Sequence, residues 1–138
     1  MTTVAIEVRL RVAVPLMTSL VSCGFPSPAE DHLDRALDFN ELLVENLPAT
    51  IVVRVDGDSM IDIGILSGDF AVVNRAVNAV DKCIVLAVVD GDFTIKRYRR
   101  RGNRLWLHPE NAKYPDIEIL EGMTFEVTGV VTGIVRKF

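Results

Sequence analysis

The chain has 138 residues, 49% of them apolar and 25% charged, with a net charge of −4. That is one domain of ordinary size with material for a real core; general disorder is excluded, and the acidic balance argues against a wholesale nucleic-acid binder. The two cysteines, Cys23 and Cys83, offer neither metal-ligand spacing nor a disulfide framework, so a reduced cytoplasmic protein is the simplest reading, while a mean hydropathy of +0.29 hints at apolar surface for self-association.

Near the N-terminus Val4, Ile6, Val8, Leu10, Val12 and Val14 alternate with Ala5, Glu7, Arg9, Arg11 and Ala13. The charges exclude a continuous export-signal core, and no run approaches the roughly 20 residues of a membrane span. Strict alternation predicts a half-buried strand. On the residues alone, an ordinary structural strand and a detachable arm docked as an extra strand are equally open. At Cys23-Gly24 the chain changes character. Small residues leave a backbone carbonyl approachable, and Pro26 and Pro28 forbid helix propagation back into the segment.

Two short helices are expected next. Ser27-Pro28-Ala29-Glu30 reads as a capping box opening a helix through about Leu37. Asp38-Phe39-Asn40-Glu41 opens a second one to Glu45, stopped by Pro48, with Leu33, Leu37, Leu42 and Leu43 packing down. From Ala49 onward the pattern is β, with strands at about 50–55, 70–74, 83–89, 92–100, 104–107, 116–120 and 125–136. Turn signals such as Ser67-Gly68-Asp69, Asp90-Gly91 and Arg101-Gly102-Asn103 separate them. Short strands at this spacing predict a barrel-like or coiled-sheet body, with Gly129 and Gly133 bending a long final strand.

Two stretches of that body carry chemistry. In Val53-Arg54-Val55-Asp56-Gly57-Asp58-Ser59-Met60 a β-branched run breaks at a tight turn, which places Ser59 at a strand end on a sharp bend. In Asp90-Gly91-Asp92-Phe93-Thr94-Ile95-Lys96 a hairpin signal is followed by alternation that sets Lys96 on the face opposite Phe93 and Ile95. Neither histidine has a carboxylate or cysteine at useful spacing, so a Ser-His-Asp triad or a zinc site lacks support. The basic run Lys96, Arg97, Arg99, Arg100, Arg101 and Arg104 spans a hairpin and reads as solvated or protein-contact surface, with Glu30, Asp31, Asp34 and Asp38 as a complement within a dimer. Trp106 is expected in the core.

Taken together, Gly57-Asp58-Ser59-Met60, the Asp-Gly-Asp-Phe-Thr-Ile-Lys run ending at Lys96, and Val21-Ser22-Cys23-Gly24 resemble the LexA/UmuD family of self-cleaving bacterial DNA-damage-response proteins, nearer its UmuD branch. The resemblance runs from about Val21 to the C-terminus and implies a mainly β, LexA/signal-peptidase-like coiled-sheet fold. It also implies a cleavable arm (1–23), a linker with short helices (24–48) and a peptidase-like domain (49–138). Ser59 would be the nucleophile and Lys96 its general base. The main-chain N–H groups of Asp58 and Ser59 would form the oxyanion hole, and Cys23-Gly24 would be the bond cut. A RecA–single-stranded DNA filament would stimulate the cut. The trimmed chain would form a homodimer serving a UmuC-like Y-family translesion polymerase, with no metal, cofactor, membrane or sequence-specific DNA contact.

Lysine can take a proton only when neutral. With a reference pKa of about 10.4, that form is scarce at pH 7 unless burial lowers it. The expected dry walls are Ile61, Phe93, Ile95 and the run Ile84 to Val89. The segment Asp81-Lys82-Cys83 departs from the family, standing where its relatives tend to have a Gly-Asp turn. Two other classes compete with this reading: a non-catalytic dimeric accessory module, and a signal-peptidase-like enzyme acting on other chains. A repressor fragment is disfavoured, because no helix-turn-helix precedes the body.

Overall fold

The computed structural model describes residues 13–17, 20–26, 29 and 33–138. The expected strand positions Val4 to Val12, the capping box apart from Ala29, and Glu30, Asp31 and His32 lie outside them. The chain divides into two units, Met1–Leu43 and Val44–Phe138.

In the first unit β1 (Ala13–Met17) pairs antiparallel with β2 (Leu33–Asp38), with Val14 opposite Leu37 and Met17 opposite Leu33. This corrects the helix expected through Leu37. Isolated helices of this length are marginal, and the ladder to β1 satisfies the same backbone groups across the sequence. The expected second helix forms as α1 (Phe39–Leu43), opened by the Asn40 N–H donating to Asp38 Oδ1 at 2.8 Å. It ends at Leu43, well before Pro48, which sits in a separate 3-10 turn, Leu47–Ala49.

The second unit is one antiparallel sheet of seven strands in the order β3-β4-β9-β5-β6-β7-β8. The strands are β3 (Thr50–Arg54), β4 (Phe70–Asn74), β5 (Ile84–Val89), β6 (Asp92–Arg101), β7 (Arg104–His108), β8 (Ile117–Glu118) and β9 (Phe125–Val135). All seven stretches expected from turn punctuation are strands. β5 and β6 join through Asp90 and Gly91, both at positive φ as a two-residue hairpin turn requires.

The long β9 lies between β4 and β5 and bends where its register shifts against each. Gly129 sits inside this bend. A Cβ there would stand 2.7 Å from Val73 Cγ1 and 2.8 Å from the Asn74 carbonyl oxygen, so close strand approach demands glycine. The core gathers Val85, Ala87, Tyr98, Leu107 and Val130. Trp106 is not part of it. Its ring is half-buried on β7, between the guanidinium groups of Arg99 and Arg104 at 5.4 and 5.5 Å, a cation–π arrangement rather than core packing. The hairpin arginines find their complement nearby: Arg97 with Glu110, Arg99 with Asp81 and Arg104 with Glu118.

Candidate active site

After β3 the chain is held by Val55, whose N–H donates to the Asp69 carbonyl and whose own carbonyl accepts from Gly68, both at 2.8 Å. Gly57 then adopts φ +95°, a conformation that resists a side chain, and the backbone reverses. Ile61 N–H donates to the Asp58 carbonyl at 3.2 Å, closing a turn with Ser59 at its apex. Met60, only 3% exposed, anchors that turn in the body. Lys96 comes from β6, paired with the fully buried Val85 of β5. One group rides on a pinned turn and the other on a rigid strand.

The two meet. Lys96 Nζ lies 2.9 Å from Ser59 Oγ, 2.6 Å from Thr94 Oγ1 and 3.2 Å from the Ile95 carbonyl oxygen. No carboxylate is bonded to Lys96 among the described residues. Burial lowers its pKa from the ordinary lysine value, because desolvation disfavours the ammonium form. The pair opens onto a cleft of about 460 Å³ lined by Ile51, Val53, Met60, Leu86, Phe93 and Ile95, among others. Three of the expected walls are therefore present. Ile61 is not one of them: it is 44% exposed, and Met60 fills its expected place. Of the run Ile84 to Val89 only Leu86 lines the cleft.

The Asp58 and Ser59 N–H groups meet no acceptor among the described residues. Cys23 and Gly24 belong to the first unit, in the connection between β1 and β2. Both are exposed, and the Gly24 N–H donates to Ser22 Oγ at 3.3 Å. Cys83 packs against the core cluster and does not line the cleft, so the departure at 81–83 acts elsewhere. There Lys82 takes φ +78°, a left-handed conformation that favours glycine. His108 does find a carboxylate, Asp116 Oδ1 at 2.6 Å from Nδ1, which spacing in the sequence hid. Ser59 Oγ, however, is bonded to Lys96 and to neither of them.

Several residues at the site went unread in the sequence. Thr94 was legible in principle, since strand alternation sets it on the face of Lys96. The segment 110–114 was not. It lies some fifty residues from Ser59, yet Asn111 Nδ2 donates to the Asp58 carbonyl at 2.9 Å, and the Tyr114 hydroxyl donates to the Asp58 carboxylate. In addition, Glu110 accepts from Asp62 N–H at 2.9 Å. A further tie is Arg136, which clamps the buried Asp69 with two contacts of 2.6 Å.

Among the described residues no helix is long and apolar enough to cross a membrane. The Peptidase S24-like family matches residues 15–132. The chain is 40% identical to the protein SamA of Salmonella typhimurium over 123 residues, covering 89% of this chain and 85% of SamA. It is 34% identical to the LexA repressor of Shewanella piezotolerans over 129 residues, and 35% identical to that of Colwellia psychrerythraea over 118. It spans only 62% and 56% of those two repressors. A family match over most of the chain, on a β fold that brings serine and lysine together, leads to one conclusion: this chain belongs to the Peptidase S24-like, LexA/UmuD family of serine peptidases.

Proposed function

We infer that this protein cleaves its own Cys23-Gly24 bond with a Ser59/Lys96 dyad. The observation carrying that reading is the 2.9 Å separation of Lys96 Nζ and Ser59 Oγ in a site with no carboxylate bonded to the lysine. A serine hydroxyl is a weak nucleophile without a group to take its proton. Neutral Lys96 takes that proton as Oγ attacks the Cys23 carbonyl carbon. The unpartnered N–H groups of Asp58 and Ser59 receive the developing oxyanion. Lys96 then passes its proton to the Gly24 nitrogen, the C–N bond breaks, and Cys23 is left as an ester on Ser59. A water molecule, deprotonated by Lys96, hydrolyses the ester and restores Ser59.

The substrate is carried on the same polypeptide, so its effective concentration is high and control must lie in conformation rather than encounter. The resemblance supplies that control as the RecA–single-stranded DNA filament. It also supplies the product's role: a cytoplasmic homodimer beginning at Gly24 that joins a UmuC-like Y-family polymerase in error-prone translesion synthesis. Intact mass measured before and after incubation with the activated filament tests the chemistry. Wild type is expected to yield a fragment beginning at Gly24, while Ser59→Ala and Lys96→Ala stay full-length. A Gly24 fragment from either variant would refute the dyad. An uncut wild type would leave a non-catalytic accessory module.

A further inference from the structure

Lys96 needs to lose its charge, yet two aspartates, Asp56 and Asp58, line cavities that it also lines. A second cavity of about 310 Å³ is lined by Asp56, Asp58, Ser59, Lys96, Tyr114 and Pro115, among others. Asp58 and Lys96 thus share one small chamber. A carboxylate beside an ammonium holds the proton there and raises the lysine pKa. In this structure the Asp58 carboxylate instead accepts from the Tyr114 hydroxyl. That hydroxyl is itself held more firmly protonated than an ordinary tyrosine, chiefly by the bond to Asp58.

Tyr114 is well placed for the task. Its N–H donates to the Asn111 carbonyl at 3.1 Å, while Asn111 Nδ2 fixes the Asp58 carbonyl at 2.9 Å. One short turn therefore grips both the main chain and the side chain of the residue preceding the nucleophile. We propose that Tyr114 is a positioning residue that restrains the Asp58 carboxylate from pairing with Lys96, keeping the lysine free to act as a base. The proposal rests on the dyad reading for its consequence, although the restraint itself does not require cleavage.

The charged and titratable groups around the lysine are few. Asp58 and Tyr114 stand in the second cavity, Asp56 lines both cavities, and Arg54 lines the first. Arg54 is stacked 5.0 Å over the Phe70 ring; Asp56 and Asp58 are both exposed, but among the described residues only Asp58 is bonded to Tyr114. Asp56 is therefore the internal control.

The direct test is titration of Lys96 by its 13Cε chemical shift in the full-length Ser59→Ala protein, which does not depend on cleavage. Adding Tyr114→Phe is expected to raise the Lys96 midpoint by about one pH unit, as a newly available opposite charge does. Adding Asp58→Asn to that variant is expected to cancel the rise, whereas adding Asp56→Asn leaves it in place. No rise with Tyr114→Phe overturns the proposal, as does a rise that survives Asp58→Asn. In the Ser59-containing protein the pH profile of self-cleavage should move upward by the same amount with Tyr114→Phe. Absence of cleavage in wild type would sink the dyad reading while leaving the lysine titration to decide this one.

Discussion

Strand β6 holds two kinds of basic residue. At Lys96 the charge-bearing atom meets two hydroxyl groups and a carbonyl. From Arg97 onward the pattern reverses, with Arg97 and Arg99 bonded to Glu110 and Asp81 and, across the turn, Arg104 to Glu118. As a sequence this is one cluster of six cations. As a structure it is a lysine bonded to no carboxylate among the described residues, beside three arginines, Arg97, Arg99 and Arg104, that each keep one. The lesson is that electrostatic function here lies in partner assignment rather than in local charge density. Glu110, Asp81 and Glu118 are engaged by the arginines, and Asp58 by Tyr114.

The largest break in this contrast is Lys96→Arg. It retains the cation but removes the ability to deprotonate, so self-cleavage should fall at least about 10³-fold at any pH compatible with folding, by intact mass. Next comes Thr94→Glu, which gives Lys96 the kind of partner its neighbours have. An adjacent carboxylate raises the lysine pKa by about 1–3 units, so the neutral-pH rate should drop about 10- to 10³-fold and recover as pH rises. Recovery with pH separates this variant from a misfolded one.

A smaller effect is expected on stability. Because the folded-state pKa of Lys96 lies below its unfolded value, the folded protein binds fewer protons, and stability rises with pH between those two values. At neutral pH the buried lysine is therefore a burden. Lys96→Met should raise the chemical-denaturation stability modestly while abolishing cleavage. Asp69 shows the opposite sign. Its hydrogen bonds with Arg136 hold its pKa down to about 2 from 3.8, so the stability it contributes is present above pH 4 and lost as pH falls toward 2. Arg136→Ala should shift acid unfolding to higher pH, followed by circular dichroism. The smallest expected change is at Arg104, whose side chain is 68% exposed in its pair with Glu118. Arg104→Gln should alter stability by no more than about 0.5 kcal/mol in a urea titration.

Much of the body was legible because its punctuation is local. Asp90-Gly91 and the alternation Phe93, Ile95 against Thr94, Lys96 report on neighbours in sequence, and the strands followed. The hairpin of the first unit was not legible. Leu33 and Leu37 stand four apart, a helical spacing, but the pairing of Val14 with Leu37 joins residues more than twenty apart, and that ladder prevails over local propensity. The contact of Ser59 with Lys96 was available only through resemblance, since nothing local links positions 37 residues apart. The restraint by Asn111 and Tyr114 had no such motif to announce it. Trp106 was misread because hydrophobicity does not reveal that two arginines will cover its ring.

The placement of Cys23 and Gly24 in the connection from β1 to β2 has a consequence for timing. A nick there would leave β1 joined to β2 through its ladder, from Ala13–Asp38 to Met17–Leu33, and no longer through the chain between them. Departure of the severed peptide would then be an ordinary dissociation, reversible and sensitive to dilution, and would bare one edge of β2. Scission and release would be separate clocks, the first set by proton transfer and the second by how long a five-residue strand stays zipped.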